Sequence, residues 1–227
     1  MEKKLIIILA LVLSCVFFSC ATQKAVQMPP AGSIIAEQPT LTLGSKFIFR
    51  ETDVLSKEVT DYIWTIKQIQ AYEGSSKPAY FFSICKYADG KIGSEEYCLV
   101  YNHELNAMTR LVDGREVRAA TPCIQTFSWP LWPGKKWYTS YNFFGEKGRG
   151  DIRDYVVVES YEQFKVPAGT FNVFKIKRVS LSQTHWEFTD YYSPEVKMFI
   201  RSEKFRLASH SEGYGKWITE LVSYQIL

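Results

Sequence analysis

From Leu41 onward, apolar and polar residues alternate in short runs separated by turn residues. The runs are "KFIFRE", "DYIWTIKQI", "AYFFSICKY", "EEYCLVY", "KWYTSYNFF", "DYVVVESY", "TFNVFKIKRV", "WEFTDYY", "KMFIRSE" and "WITELVSYQIL". All are rich in aromatic and β-branched residues and have strand length. Between them stand Asp89-Gly90, Asp113-Gly114, Pro133-Gly134 and Pro167-Ala168-Gly169, which are turn signals. No long segment repeats with the helical period; "GREVRAATPCIQTF" holds at most one short helix. The pattern predicts an all-β protein made mostly of antiparallel hairpins.

The phase of the alternation adds a constraint. Tyr62, Trp64 and Ile66 share one strand face while Ile63 and Ile69 lie on the other. Trp137, Thr139, Tyr141 and Phe143 share a face, with Tyr138 and Phe144 opposite. Bulky apolar residues thus occur on both faces, where a sheet with one wet face would alternate more cleanly. The expected architecture is a curved antiparallel sheet, either an incomplete barrel or a two-layer β structure, wrapped around a core or a cavity.

The chain also matches itself. "LTLGSKFIF" (41–49) parallels "LWPGKKWYT" (131–139), pairing Gly44 with Gly134 and Lys46 with Lys136. Asp61-Tyr62 matches Asp154-Tyr155, and "FFSICK" follows the apolar pattern of "VFKIKR". "EYCLVYNHELNAMTR" (96–110) aligns without gaps to "EFTDYYSPEVKMFIR" (187–201), with Glu96/Glu187, Tyr101/Tyr192, Glu104/Glu195 and Arg110/Arg201 identical. The nearly constant offset favours two duplicated meanders of about 90 residues, 41–124 and 125–227, forming a single β domain over 41–227. Neither half is large enough to bury both of its faces alone.

"WPGKKWY", "VPAGTFNVFKIKR" and "YYSPEVKMFIRSE" resemble a group of uncharacterised bacterial envelope proteins that carry a W-PG-x-x-W strand start, a VPAGTF hairpin and a WYSPEVG-VK hairpin. More loosely, the group is similar to lipoprotein-carrier and TapB-like β folds. That similarity implies a curved antiparallel sheet with an apolar concave face. It covers roughly residues 125–227 and implies no catalytic residues. The chain departs from the pattern at Lys197 and Met198, which follow "SPEV" where the family has glycine.

The N-terminus has a different character. "MEKKLIIILALVLSCVFFSC" places two lysines before an apolar or small run, Leu5 to Ser19. As a helix that run spans about 22 Å, short of a hydrocarbon core of about 30 Å, so it reads as a cleaved export signal. Its end resembles a bacterial lipoprotein signal. "VLSC" fits the lipobox better by residue type, but cleavage before Cys15 would leave a short apolar region and expose Val16, Phe17 and Phe18. Cys20 is therefore the expected lipidated residue, after a signal peptide of residues 1–19. The resemblance implies a thioether-linked diacylglycerol, usually with a third acyl chain such as palmitate, and two or more chains anchor stably where one does not. Residues 20–40 then form the anchor and a flexible tether containing Pro29, Pro30 and Pro39. Ala21 after the cysteine implies the outer membrane, facing the periplasm.

Composition narrows the function classes. The 227 residues are 46% hydrophobic and 15% aromatic, an ordinary globular mix tilted towards β. A net charge of +3, with both signs interspersed, gives no basic stripe for nucleic acid. No metal-ligand spacing, nucleophile elbow or phosphate loop is present; "HELNA" at His103 lacks a second histidine. No cofactor, metal or enzymatic activity is expected. Cys85 and Cys98 flank the Asp89-Gly90 turn symmetrically and are expected to form a cross-strand disulfide, with Cys123 left over. The partners expected are the membrane, through the anchor, and an apolar ligand or lipid on the curved sheet. The ligand-lining candidates are Trp64, Phe82, Trp137, Tyr141 and Phe174. The competing reading is a structural or assembly lipoprotein that binds another envelope protein.

Overall fold

The computed structural model describes residues 27–72, 75–145, 148–182, 186–210 and 212–227. The export signal and Cys20 lie outside the described residues. Twelve strands follow in chain order. The first six are β1 (Lys46–Asp53), β2 (Val59–Ala71), β3 (Pro78–Ala88), β4 (Lys91–Tyr101), β5 (Ala107–Val112) and β6 (Arg115–Ile124). The second six are β7 (Lys136–Gly145), β8 (Gly148–Val166), β9 (Gly169–Ser180), β10 (Trp186–Ser193), β11 (Met198–Arg206) and β12 (Gly215–Gln225).

Each strand pairs antiparallel with its sequence neighbours, and β1 pairs with β12 from Lys46↔Gln225 to Asp53↔Trp217. The sheet is therefore a closed up-and-down barrel, not the incomplete barrel or two-layer structure expected. Closure depends on a ladder between the two ends of the domain, which no local pattern displays. The stretch "GREVRAATPCIQTF" is not a helix but β6 and the loop after it. Its partner β5 reaches it through Asp113-Gly114, both at positive φ (49° and 73°). Asp89-Gly90 joins β3 to β4 in the same way (51° and 74°). These are the backbone values of the tight turn that matches strand twist.

The two halves share a local device. Gly44 (φ 85°) and Gly134 (φ 89°) precede β1 and β7. The N–H of Gly44 donates to Ile66 O at 2.9 Å, and that of Gly134 to Val158 O at 2.8 Å. Ile66 N–H returns to Ser45 O at 3.1 Å, and Val158 N–H to Lys135 O at 2.9 Å. Each glycine lets the chain turn into a strand while pinning it to the next one.

Inside the barrel, one half is solid. Phe47, Phe82, Phe174, Tyr192 and Leu221 are almost wholly inaccessible, as are Phe49, Ile84 and Ile176. Phe49 meets Trp64 edge-on at 5.1 Å and stacks on Phe199 at 5.0 Å. The expected tether does not run free to residue 40. Ala36 bridges to Leu131, Ala36 and Leu41 are buried, and Lys197 Nζ donates to Thr40 O at 3.3 Å.

The outer wall is charged. Asp61, Arg50, Glu220, Arg201 and Glu203 form an ion-paired row across β2, β1, β12 and β11. Lys175–Glu159 and Lys177–Glu187 continue it on the other side. A membrane-spanning barrel presents an apolar outer band instead, and a charge at its midplane costs about 2–4 kcal/mol. This wall belongs in water.

The expected disulfide is a correction. Register shifts at Ile84/Cys85 and Cys85/Tyr87 place Ser83 opposite Cys98 and Glu95 opposite Cys85. Cys85, Cys98 and Cys123 are free thiols. The symmetric count from the Asp-Gly turn assumed a ladder without bulges.

Lys197, where the resembling family has glycine, sits at φ 59°. A side chain in that region costs about 1–2 kcal/mol. Lys197→Gly is expected to raise stability by about 0.5–1 kcal/mol, after allowing for glycine's freer unfolded chain. A higher urea midpoint would show it, and a lower one would contradict it.

Candidate functional site

The other half of the barrel is open. Above the aromatic layers the lumen widens into a cavity of about 710 Å³. Its walls come from β1 and from β5 to β12, because the inward phase of these strands continues past the core. Glu51 follows Phe47 and Phe49, and Arg178 follows Phe174 and Ile176. Asp154 precedes Val156 and Val158 in the same phase. A charged side chain in phase with core residues must find a partner in the lumen or a ligand.

Asp154 and Arg178 form the central pair. Arg178 Nη1 donates to Asp154 Oδ2 at 2.9 Å, with the side chains 9% and 2% exposed. Tyr141 OH donates to the same oxygen at 3.1 Å. Burial, with the Asp154 carboxylate adding to it, pushes the Tyr141 hydroxyl up to about 12, so it remains a donor. The Arg178 guanidinium also lies 4.0 Å over the Phe188 ring. Its Nε is buried without an acceptor.

Two further arginines face the same space. Arg110 on β5 and Arg118 on β6 are direct cross-strand partners. Like charges placed directly opposite are destabilising. Arg110 lies 3.8 Å over the Tyr97 ring, and its Nε too has no acceptor. Arg118 is open to the cavity's space yet surrounded by protein. That desolvation lowers its pKa, and the nearby Arg178 and Arg110 lower it further. Neither Arg110 nor Arg118 makes an ion pair with a carboxylate among the described residues. Lys204, by contrast, has Glu51 at 3.8 Å. Asp190 completes this layer, and burial raises its pKa and favours the neutral acid.

The remaining wall is apolar on one side and aromatic on the other. Val117, Ile124, Phe143 and Ile152 form the first. Trp186 forms the second, stacking on Phe188 (5.9 Å, 16°) and on Trp217 (5.7 Å, 27°). Lining cations exceed carboxylates: Arg110, Arg118, Arg149, Arg178 and Lys204 against Glu51, Asp154 and Glu212. Glu212 is already paired with Arg206. Among the described residues no cluster of His, Cys, Asp or Glu could hold a metal ion, and no helix is long and apolar enough to cross a membrane.

Of the five residues expected to line a ligand site, only Tyr141 does. Trp64, Phe82 and Phe174 belong to the solid half. Trp137 packs against that half and donates its indole N–H to Gln125 O at 3.1 Å. Size and aromaticity selected for core filling. The signal that marks the cavity is a charge in phase with core residues, as in Phe174-x-Ile176-x-Arg178, and that signal was legible in the sequence.

No protein-family profile and no curated protein matches the chain. Its fold is similar to three solved structures. One is a protein assigned as exported, with a YmcC-like fold, from Bacteroides fragilis, at 15% identity over 84% of this chain and 99% of that one, TM-score 0.46. A second is a protein assigned as a lipoprotein from Parabacteroides distasonis, at 13% identity over 84% and 99%, TM-score 0.39. The third is the hypothetical lipoprotein YmcC from Escherichia coli, at 8% identity over 81% and 85%, TM-score 0.35. No residue role is carried over from them.

The electrostatics separate two arginines by experiment. Arg178→Gln leaves Asp154 buried without its cation and is expected to cost about 3–5 kcal/mol. Arg118→Gln removes repulsion and is expected to leave stability unchanged or raise it by about 0.5–1 kcal/mol. Urea unfolding of both variants checks this; a large loss at Arg118 would contradict it.

Proposed function

We propose that the chain is an envelope lipoprotein, anchored through Cys20, whose barrel binds a small organic anion in the open half of its lumen. The observation that carries the reading is the buried Arg178, held by Asp154, which Tyr141 bonds in turn, on a cavity lining that it shares with Arg110 and Arg118. Arginines gathered on one lumen beyond what its carboxylates neutralise are a binding feature, since like charges placed opposite each other disfavour folding. The volume of about 710 Å³ suits a ligand of metabolite or drug size.

This reading refines the apolar ligand expected from the strand pattern. The other half is filled by side chains such as Phe47, Phe82 and Phe174, while the open half joins an apolar wall to a cationic floor. The ligand has an anionic end and a flat or apolar body. The export signal, the lipobox and the charged outer wall support an envelope protein standing in water beside its membrane. A role in assembly by strand addition has less support, because closure pairs every strand with two neighbours over at least part of its length.

The test uses the cavity itself. A Cβ at Gly150 would meet nothing closer than Ile152 Cδ1 at 4.0 Å, so Gly150→Trp can project into the lumen without disturbing the wall. The wild-type protein, purified from an envelope and denatured, is expected to release an organic anion identifiable by mass spectrometry. Gly150→Trp should release none. Equal recovery from both, or nothing from the wild type under gentle purification, would sink the reading.

A further inference from the structure

The three arginines at the cavity floor define its ligand more narrowly. Arg110 and Arg118 face each other across the β5–β6 ladder, and Arg178 reaches the same space from β9. Each comes from a different strand, and all three line the same cavity. Arg178 is 7% exposed and Arg110 half-buried, and the Nε of each lacks an acceptor. Against these three charges the floor supplies one committed carboxylate, Asp154. The other acid at this level, Asp190, lies among Arg178, Lys204 and Ser202, and burial raises its pKa. Lys204 and Glu51 offset each other. With Arg149 also on the lining and Glu212 taken up by Arg206, an excess of two positive charges remains even when Asp190 is ionised.

We propose that this floor is a subsite for a phosphate monoester dianion, held by Arg110, Arg118 and Arg178. The proposal rests on the reading of the lumen as a ligand site and names the group that enters first. A monocarboxylate would leave one positive charge of this lining without compensation. A phosphate brings two charges and three strong acceptor oxygens, enough to satisfy a donor from each arginine. The residue type agrees: planar guanidinium forks match phosphate oxygens in pairs, which an ammonium does not. Asp154, itself bonded by the Tyr141 hydroxyl, holds Arg178 in place, so this part of the site is organised before the ligand arrives.

Calorimetric titration with inorganic phosphate and with hexyl phosphate tests the proposal, alongside fluorescence titration with the neutral dye N-phenyl-1-naphthylamine. Phosphate is expected to bind, and Arg118→Gln to weaken it by about tenfold or more while the folding transition stays in place. Arg110→Gln serves as the second variant, with the same expectation. Hexyl phosphate binding about tenfold tighter than inorganic phosphate would support the proposal, with a phosphate carried on a larger apolar body. Equal binding of the two would support it with free phosphate as the occupant. Phosphate binding untouched by either variant would overturn the subsite. Entry of the neutral dye without binding of either phosphate would overturn the subsite and leave the lumen reading standing. Failure of all three probes would overturn both.

Discussion

Closing twelve strands into one barrel sets the problem that the rest of the molecule answers. Eight strands give an interior that side chains can just fill, and the diameter grows roughly in proportion to strand number. A twelve-stranded lumen must therefore be packed with unusually large side chains or left open. This chain does both, at opposite ends. Phe47, Phe49, Trp64, Phe82, Phe174 and Tyr192 converge from strands far apart in sequence and make one half solid. The aromatic richness of the composition has its physical reason there. Beyond that layer the inward positions turn charged, and the lumen stays open.

The open half is held in a state that folding alone would not select. A buried ion pair adds little net stability over an apolar substitute. Arg110 opposite Arg118 adds repulsion. The solid half supplies the stability that tolerates this arrangement, through closely spaced aromatic contacts such as Phe49–Trp64 and Phe49–Phe199. Such pairs contribute about 0.5–1.5 kcal/mol each beyond their buried area. Division of labour along the barrel axis follows: one end fixes the fold, and the other is free to carry charge.

Much of this was legible in the sequence, and the failures have specific causes. The strands, the two Asp-Gly turns and the shared face of Tyr62, Trp64 and Ile66 follow from local alternation, and the structure has them. Closure was not legible, because the β1–β12 ladder joins residues about 180 apart and leaves no local mark. The Cys85–Cys98 pairing failed because bulges near Cys85 displaced the register that a symmetric turn implies. The candidate site was sought among large aromatics, which the lumen uses as filling. Arg178 was visible all along as a charge two positions beyond Ile176 on the core face.

The internal matches show how register decides function in such a barrel. Arg110 and Arg201 align as identical residues, yet Arg110 points into the cavity and Arg201 joins the outer ion pairs with Glu203 and Glu220. The ladders explain the difference. Arg110 pairs with Leu99, and the aligned partner for Arg201 would be Asp190; the observed partner is Tyr191. A shift of one residue turns a side chain to the other face of a strand. Asp61 and Asp154 behave alike: the first pairs with Arg50 on the outer wall, the second with Arg178 inside. Of two identical residues in matched segments, one thus joins the wet exterior and the other the charged lumen. One-residue offsets in pairing determine which member of a matched pair faces the lumen, and the cavity floor takes Arg110 and Arg118 from the first six strands and Arg178 from the second six.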